Sequence, residues 1–168
     1  MNENSCTATD SPNGGPVLVI TRGLPASGKT SLAVRLVDAK PERRLRINRD
    51  DLRTELFQAE GRLAHEQEAE VTRVQVLRVK AALAAGRTPI CDDTNLDPAR
   101  NLVWRDLAAA AGAQLVVWDV ATPVEECIRR DAQRGAAGGR SVGADVIREF
   151  AGRYLPNGWH ALPVFALQ

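Results

Sequence analysis

The 168-residue sequence has only two histidines and three cysteines. Cys6, Cys91 and Cys127 are odd in number, widely spaced and form no C-x-x-C pair. That argues against a disulfide framework or a zinc site, and for a reducing, cytoplasmic setting. His65 and His160 are too distant from one another to found a metal centre. Long apolar runs are missing as well; the longest are strand-length, so no membrane-spanning helix is expected. Nor is there an excess of one charge, with 22 basic against 21 acidic residues and a net charge of +1. A whole-molecule field drawing in a polyanion is thereby excluded, whereas a local basic groove is not. Aromatic residues make up 4% of the chain, which weakens the case for a long platform of stacked bases.

What remains is 44% hydrophobic and 26% charged, the composition of one globular domain with a sizeable core. Met1 to Pro16 is polar and rich in Asn, Ser, Thr and Gly, without a basic-then-apolar signal pattern. It reads as a disordered leader to a domain spanning residues 17–168.

Within that domain strands and helices alternate. Val17 to Thr21 (V-L-V-I-T) is a β-branched run suited to a strand buried on both faces. A helix follows over Ser31–Ala39, with Leu32, Leu36 and Val37 at helical spacing and Pro41 as its stop. Leu45–Asn48 reads as a second strand, with Asp50 or Asp51 as a cap for the helix after it. A long helix runs from Leu63 to Ala85, its apolar stripe drawn through Val71, Val74, Leu77 and Ala81, and Gly86 ends it. Thr88–Asp92 is a third strand, and Asp97-Pro98 opens a helix to Ala111 with an N-cap followed by Pro at its first position. Gln114–Val120 is a fourth strand, and Pro123 begins a helix to about Ala132. Gly135–Gly143 (G-A-A-G-G-R-S-V-G) reads as a mobile loop, Ala144–Tyr154 as a last helix, and Pro156–Gln168 as a strand or a docking tail. The alternation implies an α/β fold with a parallel sheet covered on both faces. Ligands of such sheets bind at the carboxyl ends of the strands.

Four segments at those ends carry candidate chemistry. Gly23–Thr30 (G-L-P-A-S-G-K-T) matches G-x-x-x-x-G-K-[ST] in full, between a predicted strand and a predicted helix. Its backbone N–H groups would cradle the phosphates of a nucleoside triphosphate at a helix N-terminus. Lys29 would reach the β- and γ-phosphates, and the Thr30 hydroxyl would ligate Mg²⁺. In I-N-R-D-D-L-R, Ile47–Arg53, the adjacent carboxylates and arginine fit a capped helix with surface ion pairs. The functional alternative is a site in which Asp50 takes the proton of an acceptor hydroxyl and Arg53 grips a phosphate. C-D-D-T-N-L, Cys91–Leu96, ends the third strand; either Asp93 or Asp92 suits a Mg²⁺ shell, and Thr94 and Asn95 suit acceptor binding. R-R-D-A-Q-R-G, Arg129–Gly135, sets Arg130 and Arg134 on one helix face. That face is either solvated or the business side of a lid closing over ATP.

Together these segments resemble the 5′-kinase domain of phage polynucleotide kinase and its relatives, within the P-loop kinase superfamily. The likeness is carried by G-L-P-A-S-G-K-T, I-N-R-D-D-L-R, D-T-N-L-D-P-A-R with Trp104 after it, and R-R-D-A-Q-R-G with V-G-A-D-V-I after it. It runs from Val17 to about Tyr154. The resemblance implies a sheet in the order 2-3-1-4, an arginine-bearing lid, ATP as donor with Mg²⁺, and a 5′-hydroxyl of DNA or RNA as acceptor. It implies a donor site of Gly23, Ala26, Ser27, Gly28, Lys29, Thr30 and Ser31, completed by lid arginines Arg130 and Arg134. Lys29, Asp50, Arg53 and Arg134 would be catalytic, with Asp50 as base and Arg53 on the acceptor's 3′-phosphate. Asp93, Thr94 and Asn95 would complete the acceptor side, and Asp93 with Thr30 the metal side. Asp92 departs from the pattern, standing where relatives often carry a small or neutral residue. No phosphatase or ligase segment accompanies the domain, so an end-healing partner would be a separate chain or absent. Kinases of this branch that phosphorylate a nucleoside, a small metabolite or a hydroxymethylated base are the alternative. A nucleotide-binding switch is the more distant one.

Overall fold

The computed structural model describes residues 15–159. Most of the expected leader and residues 160–168 of the expected tail lie outside the described residues. Four strands, β1 (Val17–Arg22), β2 (Arg44–Ile47), β3 (Thr88–Asp92) and β4 (Gln114–Asp119), form one sheet in the order β2-β3-β1-β4. All three pairings are parallel, with Val19 opposite Ile90 on one side and Val116 on the other. Among the described residues six α-helices surround it: α1 (Lys29–Ala39), α2 (Arg49–Phe57), α3 (His65–Ala84), α4 (Pro98–Ala110), α5 (Val124–Ala136) and α6 (Ala144–Tyr154).

The period of two along β1 divides the core. Val17 and Val19 pack with Ala33 and Leu36 of α1. Leu18 and Ile20 point the other way, into a larger cluster with Leu52, Val71, Val79, Leu83, Trp104 and Leu107. A third cluster of Leu24, Leu96, Cys127 and Ile147 seats α5 and α6 beside the strand ends. Because every strand runs the same way, their carboxyl ends open on one edge. There Gly23 N–H donates to the Thr94 carbonyl at 2.9 Å, and Val120 N–H to the Arg22 carbonyl at 2.8 Å.

The structure corrects the sequence reading in three places. The buried stripe of α3 runs through Val71, Gln75, Val79, Ala82 and Leu83, whereas Leu77 and Ala81 face solvent. A glutamine holds a core position because polar groups of the site need it, so hydrophobic spacing alone set the helix's rotation wrongly. At α2 the cap is Asn48, whose side-chain oxygen accepts from the N–H groups of Asp50 (2.8 Å) and Asp51 (3.2 Å). This leaves both carboxylates free of capping. Finally, α5 continues through Gly135 to Ala136, and the loop after it is anchored. The buried Asp131 carboxylate accepts from Ser141 Oγ (2.6 Å), Val142 N (3.1 Å) and Gly143 N (2.9 Å). Three bonds to one fixed anion hold a segment whose glycines alone suggest mobility.

Candidate active site

The loop between β1 and α1 wraps a small volume, and its glycines are required there. Gly28, the N-cap of α1, has φ +104°, a conformation that costs a side chain dearly. A Cβ on Gly23 would lie 2.6 Å from Ser27 Oγ and 3.1 Å from the Val120 carbonyl. Lys29 is buried, and its ammonium donates to the Leu24 carbonyl at 2.6 Å. Burial lowers its pKa to about 8, against the opposing pull of Asp92 and Asp93. A pocket of about 390 Å³ opens over this loop, lined by Ala26, Gly28, Lys29, Thr30, Ser31, Arg130 and Arg134. The two arginines therefore meet the loop in space, though they follow it by a hundred residues in sequence. The Ser27 carbonyl ties α5 to the loop, accepting from Arg130 Nη1 (3.2 Å) and Thr122 Oγ1 (2.8 Å). Arg134 pairs with Asp131 at 2.7 Å. Beside Ser31, Arg35 and Trp118 line a second hollow with Arg130; neither residue carried a motif that would have singled it out.

Asp50 and Arg53 lie one turn apart on α2, and Arg53 Nη1 meets Asp50 Oδ1 at 2.6 Å. A second guanidinium, Arg140 from the loop after α5, reaches the same oxygen at 2.6 Å. Although partial burial works in the opposite sense, Arg140 and Arg53 hold the Asp50 carboxyl below its ordinary range. Arg53 is itself fixed by Glu68 of α3, through Nε (2.9 Å) and Nη2 (3.0 Å). Glu68 also accepts from Arg49 at 2.6 Å. Against the cost of its partial burial, hydrogen bonds from Arg53, Leu63 N–H and Arg49 bring its pKa down to about 2. Glu68, Arg49 and Arg140 were not among the residues expected from sequence. Glu68 lies on a helix whose pattern shows only periodicity, and Arg140 was hidden in a glycine-rich loop.

The end of β3 separates the two neighbouring acids. Asp93 accepts from Arg49 N–H at 3.0 Å and Gln75 Nε2 at 2.5 Å, so both its oxygens are engaged with α2 and α3. Desolvation raises its pKa. Asp92 is buried, with Oδ2 on Arg46 Nε at 2.7 Å, while its Oδ1 has no hydrogen-bond partner. Asn95 was expected to face the acceptor, yet its amide is spent inside the protein. Its Nδ2 donates to the carbonyls of Thr21 (2.8 Å) and Cys91 (3.2 Å), and its Oδ1 accepts from Trp104 Nε1 (3.3 Å). Asn95 is a buried tie between β1, β3 and α4; Thr94 beside it stays partly exposed.

The sheet order, the phosphate-binding loop and the arginines above it define the P-loop kinase fold. A family model described as AAA domain matches residues 18–156, and the chain belongs to that family. The chain is similar to a solved structure of the Pnkp1/Rnl/Hen1 RNA repair complex, with a TM-score of 0.73 at 23% identity over 92% of this chain and 51% of that one. A second structure of the Pnkp1/Rnl/Hen1 complex gives a TM-score of 0.60 at 28% identity, covering 69% of this chain and 39% of that one. The chain thus spans about half or less of the repair-complex chains it matches. The Mycobacterium tuberculosis APS kinase CysC, in complex with AMPPNP and APS, matches with a TM-score of 0.56 at 25% identity, covering 75% of this chain and 74% of that one. Among the described residues no helix is long and apolar enough to cross a membrane.

Proposed function

We propose that this protein is an ATP-dependent kinase that transfers the γ-phosphate to the 5′-hydroxyl of a polynucleotide. The observation that carries the reading is the Asp50 carboxylate, ionised and held by arginines, at the same sheet edge as the phosphate-binding loop. An acceptor O–H directed at Asp50 would lose its proton to that carboxylate as its oxygen bonds to the γ-phosphorus. The bond from γ-phosphorus to the β–γ bridging oxygen breaks in the same step, and its electron pair leaves with ADP. Because the transition state is loose, the base acts late and an ordinary or lowered carboxylate pKa suffices. Lys29 and the loop N–H groups hold the donor phosphates. Arg130 and Arg134 line the pocket and would neutralise charge on the transferring group, an effect worth ~10³–10⁵ in rate.

The residues present fit Mg²⁺ in the manner of this fold, where phosphates and water supply most ligands. Thr30 opens α1 at the pocket, and the unpartnered, buried Asp92 Oδ1 is the free carboxylate oxygen at the end of β3. Thr30 and Asp92 would hold the ion there, and it would supply charge neutralisation for the donor phosphates. Thr94 and Asp93 would serve the acceptor side, Asp93 by positioning α2 through the Arg49 N–H.

The likeness to the APS kinase favours a second reading, in which a small phosphate-bearing alcohol is the acceptor. The low aromatic content points the same way. Asp50→Ala tests what the two share: turnover should fall by about 10³ or more with the circular dichroism spectrum unchanged. Near-normal turnover in that variant would remove Asp50 from the chemistry.

A further inference from the structure

Asp131 stands between Arg130 and Arg134 in sequence, but those two line the pocket while Asp131 is only 1% exposed. Its two oxygens serve two different parts of the site. Oδ1 accepts from Arg134 Nη2 at 2.7 Å. Oδ2 accepts from Ser141 Oγ (2.6 Å), Val142 N–H (3.1 Å) and Gly143 N–H (2.9 Å), with the Val142 N–H also 3.2 Å from Oδ1. Burial works against the charge, yet these donors outweigh it and hold the Asp131 carboxyl below its ordinary range.

The chain between the two sets of donors folds tightly back on α5. Gly139 N–H donates to the Arg134 carbonyl at 2.9 Å, and a Cβ on Gly139 would lie 2.8 Å from Arg134 Cγ. A Cβ on Gly135 would meet Ser141 Cβ at 3.0 Å. These glycines admit close packing. Arg140 leaves this packed turn, and its guanidinium ends 2.6 Å from Asp50 Oδ1. That ion pair does not hold the loop, because Asp50 is half exposed and Arg140 partly so, and such pairs are weak. Charge-assisted bonds to a buried carboxylate are strong, and donors left without it are costly. The place of Arg140 is therefore set at Asp131.

We propose that Asp131 is a positioning residue that couples the donor pocket to the base, one oxygen aiming Arg134 and the other seating the loop that brings Arg140 to Asp50. The inference rests on the kinase reading above and deepens it, since both halves of the site then depend on one fixed anion. The charged groups on Asp50 are Arg140 and, from its own helix, Arg53, which Glu68 of α3 holds; its neighbour Asp51 pairs with Arg46 instead. Releasing Arg140 takes one positive charge from Asp50, so that carboxylate takes up its proton at higher pH.

The test uses the full chain and its Asp131→Asn and Asp131→Ala variants. Asparagine keeps one acceptor oxygen for the loop, but its NH₂ cannot accept from Arg134. Asp131→Asn should therefore lower kcat for phosphoryl transfer about 10- to 100-fold, the scale of a slightly misplaced catalytic group, and leave the acid limb of kcat/KM in place. Asp131→Ala should show the same loss of kcat together with an acid limb moved to higher pH. Lower Tm in both variants, with kcat and acid limb as in wild type, would reduce Asp131 to a structural residue and overturn the proposal. Titration of the Asp50 carboxyl carbon by ¹³C NMR needs no turnover and keeps the two claims separate. If no alcohol is phosphorylated the kinase reading fails, but an Asp50 midpoint raised in Asp131→Ala and not in Asp131→Asn still supports the coupling. Should Asp131→Ala not fold, Ser141→Ala removes one loop bond and takes its place in the titration. An Asp50 midpoint unmoved by loss of the loop bonds refutes the coupling whatever the enzyme phosphorylates.

Discussion

Lys29 shows what a phosphate-binding loop costs a single residue. Its ammonium is buried, and its pKa lies at about 8 instead of 10.5. At about 1.36 kcal/mol per pH unit, keeping it charged costs on the order of 3 kcal/mol relative to a solvated lysine. The sign follows from linkage: between pH 8 and 10.5 the unfolded chain binds the extra proton, so this residue's contribution to stability rises with pH there. Donor phosphates act in the opposite sense and favour the ammonium. ATP binding should therefore take up a proton at pH 9, approaching about one per site, and almost none at pH 7. Calorimetry in two buffers of different ionisation enthalpy measures this, and an uptake that does not change with pH would contradict it. The charge of Lys29 was legible in the motif; its depressed pKa was not, because burial is a property of the folded loop. Asp50 is a similar case. Its spacing from Arg53 is written in the sequence, whereas Arg140 arrives from ninety residues away.

At the scale of elements, local rules were read well where they are local. Pro98 after Asp97 fixed the start of α4, and Asp97 caps it, accepting from Ala99 N–H at 3.0 Å. The run from Ala144 to Tyr154 was read as α6 with both ends correct. Errors occurred where a polar residue serves a distant partner. Gln75 takes a core position for Asp93 and Arg49, Asn48 rather than an aspartate caps α2, and Asp131 ties down a loop of glycines. Asn95 belongs with these, since its neighbours in the motif suggested a ligand contact and its partners are all protein. Replacing it by alanine removes the tie to Thr21 and Cys91 and leaves the Trp104 N–H unpaired. The expected loss is about 2–3 kcal/mol of stability, seen as a lower Tm in thermal unfolding, with acceptor KM nearly unchanged at permissive temperature. A raised acceptor KM with unaltered Tm would restore Asn95 to the acceptor site.

For the whole molecule, the α/β class followed from alternation, because a helix between successive strands gives the chain the length to cross back and pair parallel. The order of the strands did not follow from that pattern, which says which elements exist but not which are neighbours. It came from the resemblance carried by the motifs, and the sheet has the implied order β2-β3-β1-β4. The consequence for function is that four segments spread over more than a hundred residues converge on one edge: the Gly23–Thr30 loop, Asp50–Arg53, Asp92–Asp93 and the α5 arginines Arg130 and Arg134. The donor half of the site rests on a motif that many chemistries share. The acceptor half rests on Asp50 and the arginines around it. The most direct measurement is transfer of label from γ-labelled ATP to a 5′-hydroxyl oligonucleotide, with the bare nucleoside and a duplex containing hydroxymethylated bases as parallel acceptors. Label is expected on the oligonucleotide's 5′ end, removable by phosphatase and lost in Asp50→Ala. Label on the nucleoside or the modified base alone, with the oligonucleotide unlabelled, would contradict that expectation.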